Sequence, residues 1–463
     1  MDISRRKFLA SVSMLAASTI LPVKSFGFGK EGKLRVALVG TGVRGISFWG
    51  RRLVQQYSDI IEFVGLSDIN SGRLEFGKKY IDTDCPTFAD FDEMMRETRP
   101  DLLIVTTKDS THHQFIIKGL KYCDVLTEKP LTTDEYKCQD IITAERKSNK
   151  KLIVGFNYRW SPYNTKIKEL LVNNEIGKIT SVDFHWYLNT YHGASYFRRW
   201  HGLRDSGGTL WVHKATHHFD LLNWWIDSDP EEVFAYGDLE YYGANGKIRG
   251  DKCRTCQHKS DCKFFWDITK DQHMMDLYAA NEKHDGYIRD NCLFRKEIDI
   301  YDKMSAQVKY KNNVTLNYSL TTYSPYEGWK VAFNGTEGRI EAWQDIPYFK
   351  EVSVDQAEMH AREMDQSGKD DMQHESIIVH NLWNKHKVVD VAFEKAGHGG
   401  GDKRLHDKIF KNPDMEDPFK RAAGVRDGAM SVLIGIGARN SIESGNPTKI
   451  SDLTDLKPQI KRI

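Results

Sequence analysis

The chain has no surplus of charge of either sign: 66 Lys and Arg stand against 65 Asp and Glu, a formal charge of +1 over 463 residues. Nucleic-acid binding draws on a basic field, and none is offered here, so small-molecule chemistry is the expectation. Nor is there an apolar run of the ~20 residues that a membrane-spanning helix needs. The apolar stretch that ends at Leu21, before Pro22, is shorter, and no stable span is expected in the mature chain. Neither common ferredoxin spacing occurs among the seven cysteines. His213 and His217 are spaced as a helical metal-binding pair, but the glutamate of that motif is missing between them.

Aromatic residues are plentiful, with 11 Trp and 20 Tyr, which suits a carbohydrate-facing pocket and equally a large core. The run Leu34-Arg35-Val36-Ala37-Leu38-Val39 leads into Gly40-Thr41-Gly42-Val43-Arg44-Gly45 and then into a segment, 46–57, with helical spacing of large residues. Strand, glycine turn and helix in that order present backbone N–H groups to a pyrophosphate. The next apolar run, 61–66, is followed by Asp68, about where the dinucleotide fingerprint places an acid for the ribose hydroxyls. NAD is therefore the expected cofactor, on Gly40, Thr41, Gly42, Val43, Arg44, Gly45 and Asp68. The Asp68 carboxylate repels the 2′-phosphate of NADP, although Arg73 weakens that preference. Thr106, His112, Glu128 and Lys129, in the turns after the following strands, are further candidates.

Repeated alternation of short apolar runs with amphipathic segments from residue 33 to about 155 calls for a parallel, doubly wound sheet. Beyond it, 305–310 pairs with 314–321 and 329–333 with 339–343 through short turns, the pattern of a mostly antiparallel sheet. The fold class is thus α/β: an N-terminal Rossmann domain (33–155) and a C-terminal α/β domain (156–463). Residues 243–301, charged and without clear periodicity, read as an insertion over the site, and 421–444 as a long helix.

Lys129 follows a buried strand in Glu128-Lys129-Pro130, and Pro130 stops that strand, so the ammonium faces the carboxyl edge of the sheet where ligands gather. On the expected helix 207–220, Val212, Ala215 and Phe219 form an apolar stripe, while His213, His217 and Asp220 share the other face with Lys214 beside them. Cys253-x2-Cys256-x5-Cys262 with the later Cys292 provides four ligands for a structural zinc or four sulfurs for two disulfides. At the N-terminus, 1–32 reads as a signal and linker. Ser4-Arg5-Arg6-Lys7-Phe8-Leu9 resembles a twin-arginine signal, with an ordinary Sec signal or an uncleaved anchor as the alternative. A periplasmic or otherwise exported protein is expected.

The glycine turn, Glu128-Lys129-Pro130, the run 154–162 through Tyr158 and Arg159, and the Gly-Gly…His…Asp helix together resemble the Gfo/Idh/MocA family of glucose-fructose oxidoreductase and inositol dehydrogenase relatives. The resemblance spans most of the chain after residue 33. It implies hydride transfer between nicotinamide and a sugar or polyol carbon, and a homo-oligomer packed through the open second sheet. Lys129 matches the lysine that holds the reacting hydroxyl, and His217 the histidine that serves as acid/base. The family's usual Asp four residues earlier is replaced by His213, followed by Lys214. Imidazoles and ammonium groups crowded around one hydroxyl lower each other's pKa and favour a neutral base.

Catalysis is thus expected from Lys129, His217 and His213, and a carbohydrate-facing wall from Tyr158, Arg159, Tyr163, Trp200, Lys214 and Asp220. The turn Gly397-His398-Gly399-Gly400-Gly401-Asp402 either returns His398 or Asp402 to the cleft or is a plain loop. Two other functions compete with dehydrogenation: glycoside cleavage by transient oxidation and elimination, whose additional His- and Tyr-rich motif is not seen, and non-catalytic sugar binding.

Overall fold

The computed structural model describes residues 32–346, 372–394 and 397–462; the expected export signal lies outside them. Among the described residues no helix is long and apolar enough to cross a membrane.

Six strands, β1 (Leu34–Val39), β2 (Ile61–Ser67), β3 (Thr87–Phe88), β4 (Leu102–Val105), β5 (Asp124–Thr127) and β6 (Leu152–Val154), form one sheet in the order β3-β2-β1-β4-β5-β6. All its pairings are parallel. β4 reads Leu-Leu-Ile-Val without alternation because helices cover both faces and bury all four residues. The order reverses between β1 and β4, and the crevice at that point is where such sheets bind dinucleotides.

The second sheet is built from β7 (Ile179–Asn189), β8 (Pro230–Asp238), β9 (Lys303–Tyr310), β10 (Thr315–Ser324), β11 (Gly328–Gly335), β12 (Gly338–Gln344), β13 (Met372–Asn381), β14 (Lys387–Glu394) and β15 (Thr448–Lys449). Their order is β14-β13-β12-β11-β7-β10-β9-β8-β15. Every pairing is antiparallel except β7 with β10, so the sheet is mixed. β9 alternates exposed and buried at each residue, the mark of one wet and one packed face.

Four helices build the far wall of the site: α1 (Thr190–Arg198), α2 (Leu210–His213), α3 (Ala215–Ile226) and α4 (Val425–Ser444). The single helix expected over 207–220 is broken at Lys214 into α2 and α3. All of α3 is buried, because α4 and residues of β7 and β10 such as Phe184 and Tyr318 enclose it, and a helix covered on every side has no solvated stripe. Gly435 permits the approach of α4 to α2; a Cβ there would lie 2.3 Å from the Trp211 carbonyl oxygen.

Residues 243–301 contain short helical turns and the helices Gln272–Leu277 and Glu282–Asp285. They pack over the nucleotide crevice. The Tyr278 hydroxyl accepts from Val43 N at 2.9 Å, and the Asn281 carbonyl accepts from Asn70 Nδ2 at 2.9 Å.

Candidate active site

A single cleft of about 1720 Å³ runs from the glycine turn, past Asp68 and Lys129, to His213, Lys214, His217 and His398. At its nucleotide end Gly40 has φ +96°, and a Cβ there would lie 2.7 Å from the Thr106 carbonyl carbon. Only glycine fits, and its absent side chain leaves room for a phosphate to approach the backbone. Thr106 Oγ1 closes the turn by donating to the Gly40 carbonyl at 2.6 Å. Asp68 accepts from Thr41 N at 2.7 Å, from Thr41 Oγ1 at 3.0 Å and from Asn70 N at 2.8 Å, so it braces the turn while lining the cleft. Arg73 Nη2 lies 3.3 Å from Asp68 Oδ1 and 2.6 Å from Asp285 Oδ2. Glycine cradle, helix start and strand-end acid together fit a dinucleotide.

The carboxyl ends of β4 and β5 provide the next layer. Glu128 accepts from Arg44 Nε at 2.6 Å and Trp49 Nε1 at 2.8 Å, tying the glycine turn to the Lys129 strand. Burial opposes its charge, but Arg44 and Lys129 bring its carboxyl below the ordinary value. His112 bridges backbone carbonyls, with Nδ1 2.8 Å from Pro130 O and Nε2 3.1 Å from Thr107 O. Its ring lines the cleft as a strut between the two strand ends.

Lys129 Nζ donates to the His213 carbonyl at 3.3 Å. Burial brings this lysine down to about 8, against the pull of Glu128 and Asp109. His213 Nδ1 lies 2.6 Å from Asp109 Oδ2, a carboxyl that burial pushes up. Burial, then the Lys129 charge, holds both His213 and His217 well below the ordinary imidazole value. The His217 ring stacks on Tyr158 at 4.4 Å, and its buried Nδ1 has no hydrogen-bond partner among the described residues. Lys214 Nζ sits 3.5 Å from the Tyr158 hydroxyl and 4.8 Å from the centre of the Trp186 ring. The result is a neutral imidazole beside cationic side chains.

His398, in the glycine-rich turn, does reach the cleft, its Nδ1 3.0 Å from Asp402 Oδ1. Asp402 itself is buried and held by Asn157 Nδ2 at 2.6 Å. Trp200 lines the cleft and stacks on His201 at 3.6 Å.

Several expectations are corrected. Arg159 and Asp220 do not line the cleft: they are buried against each other, because a guanidinium and a carboxylate on packed helices satisfy one another better than either could alone. Tyr163 is also in the core, its hydroxyl donating to the Ser376 carbonyl at 3.0 Å. Cys253, Cys256, Cys262 and Cys292 are free thiols, and among the described residues no group of three or more His, Cys, Asp or Glu is arranged to hold a metal. Among the described residues these cysteines form neither a metal site nor a disulfide. Cys253 Sγ instead accepts from Arg198 Nη1 at 2.9 Å.

The sequence reading missed Asp109, His192, Tyr196, His201 and Glu327. Asp109 follows the end of β4, where position alone marks a ligand-facing residue. His192, Tyr196 and His201 stand on the cleft wall in the Tyr191–His201 stretch, a His- and Tyr-rich segment that sequence analysis passed over. Glu327 Oε1 lies 3.1 Å from His192 Nδ1, and burial pushes this carboxyl up to about 7.

A nucleotide-binding parallel sheet joined to a sheet-backed site of lysine and neutral histidines defines an NAD-binding oxidoreductase. The chain belongs to the Gfo/Idh/MocA family: residues 34–156 match the oxidoreductase family's NAD-binding Rossmann fold, and 168–450 its C-terminal alpha/beta domain. It is 36% identical over 447 residues to YteT of Bacillus subtilis (strain 168), covering 91% of this chain and 99% of that protein. It is 22% identical over 251 residues to an inositol 2-dehydrogenase/D-chiro-inositol 3-dehydrogenase of Lactiplantibacillus plantarum, covering 50% of this chain and 67% of that one. Its fold is similar to that of a levoglucosan dehydrogenase in complex with NADH and levoglucosan, with a TM-score of 0.61 at 13% identity over 90% of this chain and 100% of that chain.

Proposed function

We propose that the protein is an exported NAD-dependent dehydrogenase acting on a hydroxyl carbon of a sugar, glycoside or polyol. The observation that carries this reading is that Lys129 and His217 share one cleft with the glycine turn and Asp68. The turn, Asp68 and Glu128 would hold NAD, whose nicotinamide supplies hydride acceptance. Neutral His217 takes the proton of the reacting hydroxyl. The Lys129 ammonium stabilises the developing alkoxide, and the His213 carbonyl aims it. Tyr158, Lys214 and Trp200 form the carbohydrate wall. The relatives named for inositol and levoglucosan support a polyol or sugar. NAD is favoured over NADP because Arg73 is engaged by two carboxylates.

The test is to denature the purified protein, assay the supernatant for nicotinamide nucleotide, and screen glycosides and polyols for NADH formation. Bound or binding NAD with a substrate that loses two hydrogens by mass supports the reading. A protein that neither carries nor binds NAD overturns it. Export is supported by Arg5-Arg6 ahead of the apolar run; Arg5→Lys with Arg6→Lys should retain the protein inside the cell. A homo-oligomer packed through the second sheet follows from the family resemblance, and light scattering on the purified protein tests it.

A second reading, glycoside cleavage through a transient ring ketone, gains weight from His192, Tyr196, His201 and His398 on the same cleft. Elimination needs an additional base and acid beyond those of a single hydride transfer. Release of a chromogenic aglycone without net NADH formation would favour it. Unchanged sugar binding with no turnover in wild-type protein would favour a binding role.

A further inference from the structure

Three of the seven arginines that line the cleft are paired with carboxylates: Arg44 with Glu128, Arg52 with Asp402, Arg73 with Asp68 and Asp285. Two more are held by other acceptors, Arg51 by the Tyr80 carbonyl and Arg198 by the Cys253 sulfur and the Phe264 carbonyl. Arg199 and Arg289 remain. Both line the cleft, and among the described residues neither forms an ion pair with a carboxylate. Arg199 follows α1; its Nε donates to the Ser195 carbonyl at 3.0 Å, and its guanidinium lies 5.2 Å from the centre of the Tyr196 ring. Arg289 comes from the 243–301 segment, its guanidinium 4.9 Å from the centre of the Trp266 ring. Separate elements thus bring two guanidinium groups, each on an aromatic support, to the wall of one cleft. They are close enough that, after burial, Arg289 is the largest influence lowering the Arg199 pKa.

Two like charges held in place without a counter-ion repel, and an oxyanion between them relieves that repulsion. Guanidinium groups suit oxyanions because their N–H donors form parallel bonds to two oxygens. The position of the pair separates the substrate from the cofactor. The pyrophosphate belongs at the glycine turn. Arg199, by contrast, lies over the Tyr196 ring, whose centre is 5.4 Å from the His213 ring and 5.6 Å from the His201 ring, on the proton-handling side of the cleft.

We propose that Arg199 and Arg289 form a subsite for a negatively charged substituent of the sugar, so that the substrate class is an acidic sugar, bearing a carboxylate or a phosphate ester, rather than a neutral one. The proposal rests on the sugar-dehydrogenase reading above for the identity of the ligand as a sugar. It also gives the 243–301 segment a role in selecting substrate, through Arg289, as well as in covering the nucleotide crevice.

The test is binding to the full chain with NAD present, by calorimetry, using two matched sets: D-glucuronate, D-glucose 6-phosphate and D-glucose, and the corresponding three galactose compounds. In at least one set an acidic sugar is expected to bind at least about tenfold more tightly than its neutral counterpart, as charge-assisted bidentate pairs allow. The uronate and phosphate arms identify the substituent. Arg199→Met and Arg289→Met should each abolish the preference, Arg199→Lys and Arg289→Lys should restore part of it, and the NAD dissociation constant should stay within about twofold. If a methionine variant fails to fold in thermal melts, the glutamine variant replaces it. The proposal is overturned if neither set shows an acid preference, if the preference survives in both variants, or if the variants weaken NAD binding and leave the preference intact. An arginine-dependent acid preference in a protein that never reduces NAD would uphold the subsite and overturn the dehydrogenase reading. NADH formation from neutral sugars with no acid preference would do the reverse.

Discussion

Arg159 and Asp220 meet in the interior with about 1% of either side chain exposed. Arg159 Nε donates to Asp220 Oδ2 at 2.7 Å, Nη2 donates to Oδ1, and Nη2 also reaches Asp427 Oδ1 at 2.9 Å. Asp427 is shared with Arg462, so the pair sits within a buried charge network that joins the start of α4 to α3. Removing one member leaves a charge without its partner in a site water does not reach, at a cost of about 3–5 kcal/mol. Asp220→Ala is therefore expected to lower the unfolding free energy by roughly that amount in urea titration. Substrate KM for the folded variant should stay unchanged. Wild-type stability with a raised KM would return Asp220 to the substrate wall.

Gly40→Ala probes the nucleotide end. The added Cβ meets Thr106 backbone atoms at 2.7 Å, and φ at +96° is a conformation that alanine resists. The turn must move, and the N–H groups it aims move with it. NAD affinity should fall by at least about tenfold, since a misplacement of this size costs more than 1.4 kcal/mol. Equilibrium dialysis with NAD measures it, and an unchanged dissociation constant would place the dinucleotide elsewhere.

How far the sequence could be read depended on how local each signal was. β4, apolar at all four positions, and the glycine turn ahead of a helix are visible within a few residues. Lys129 is marked by its place after β5 and before a proline. His213 and His217 line the cleft, yet Asp220, on the same helical face by spacing, turns inward. Its partner is 61 positions away, and helical periodicity carries no information about such a pairing. His192 and Glu327 are 135 positions apart and belong to a site only because β7 ends beside the turn after β10. The cysteine spacing suggested zinc or disulfides, whereas the folded segment directs the Cys253 sulfur to an arginine. Spacing in sequence does not fix which partner each sulfur takes when a segment has no regular structure.

The thiols offer an independent check of that correction. Cys256, Cys262 and Cys292 are partly exposed, while Cys85, Cys123 and Cys138 are buried. Burial pushes the Cys123 thiol up to about 12 and raises Cys85 and Cys138 as well, and a protonated thiol is a poor nucleophile. In titration with a thiol-specific disulfide reagent, the three partly exposed cysteines should react in the native protein and the four buried ones, Cys253 among them, only after denaturation. Chelator should leave the melting temperature unchanged. Co-purifying stoichiometric zinc, or melting that falls on chelation, would reinstate a metal centre.

Lys129 and His217 set opposite limits on pH. The His217 imidazole is held well below its ordinary value of 6.5, first by burial and then by the Lys129 and Lys214 charges, so it stays neutral and able to accept a proton down to below that pH. Lys129 is brought by burial from 10.5 to about 8, so it is an ammonium below pH 8 and loses its proton as pH rises through it. The rate of hydroxyl oxidation, as kcat/KM, should therefore have a plateau whose alkaline edge lies near pH 8 and whose acid edge lies below 6.5. Lys129→Met is expected to reduce kcat by about 10²–10³-fold, the span that a group stabilising a developing oxyanion contributes. Lys129→Arg keeps a cation that does not titrate in this range. If Lys129 is the group responsible, the arginine variant loses the alkaline edge, whatever its remaining rate. An edge that stays near pH 8 in Lys129→Arg would assign it to another group.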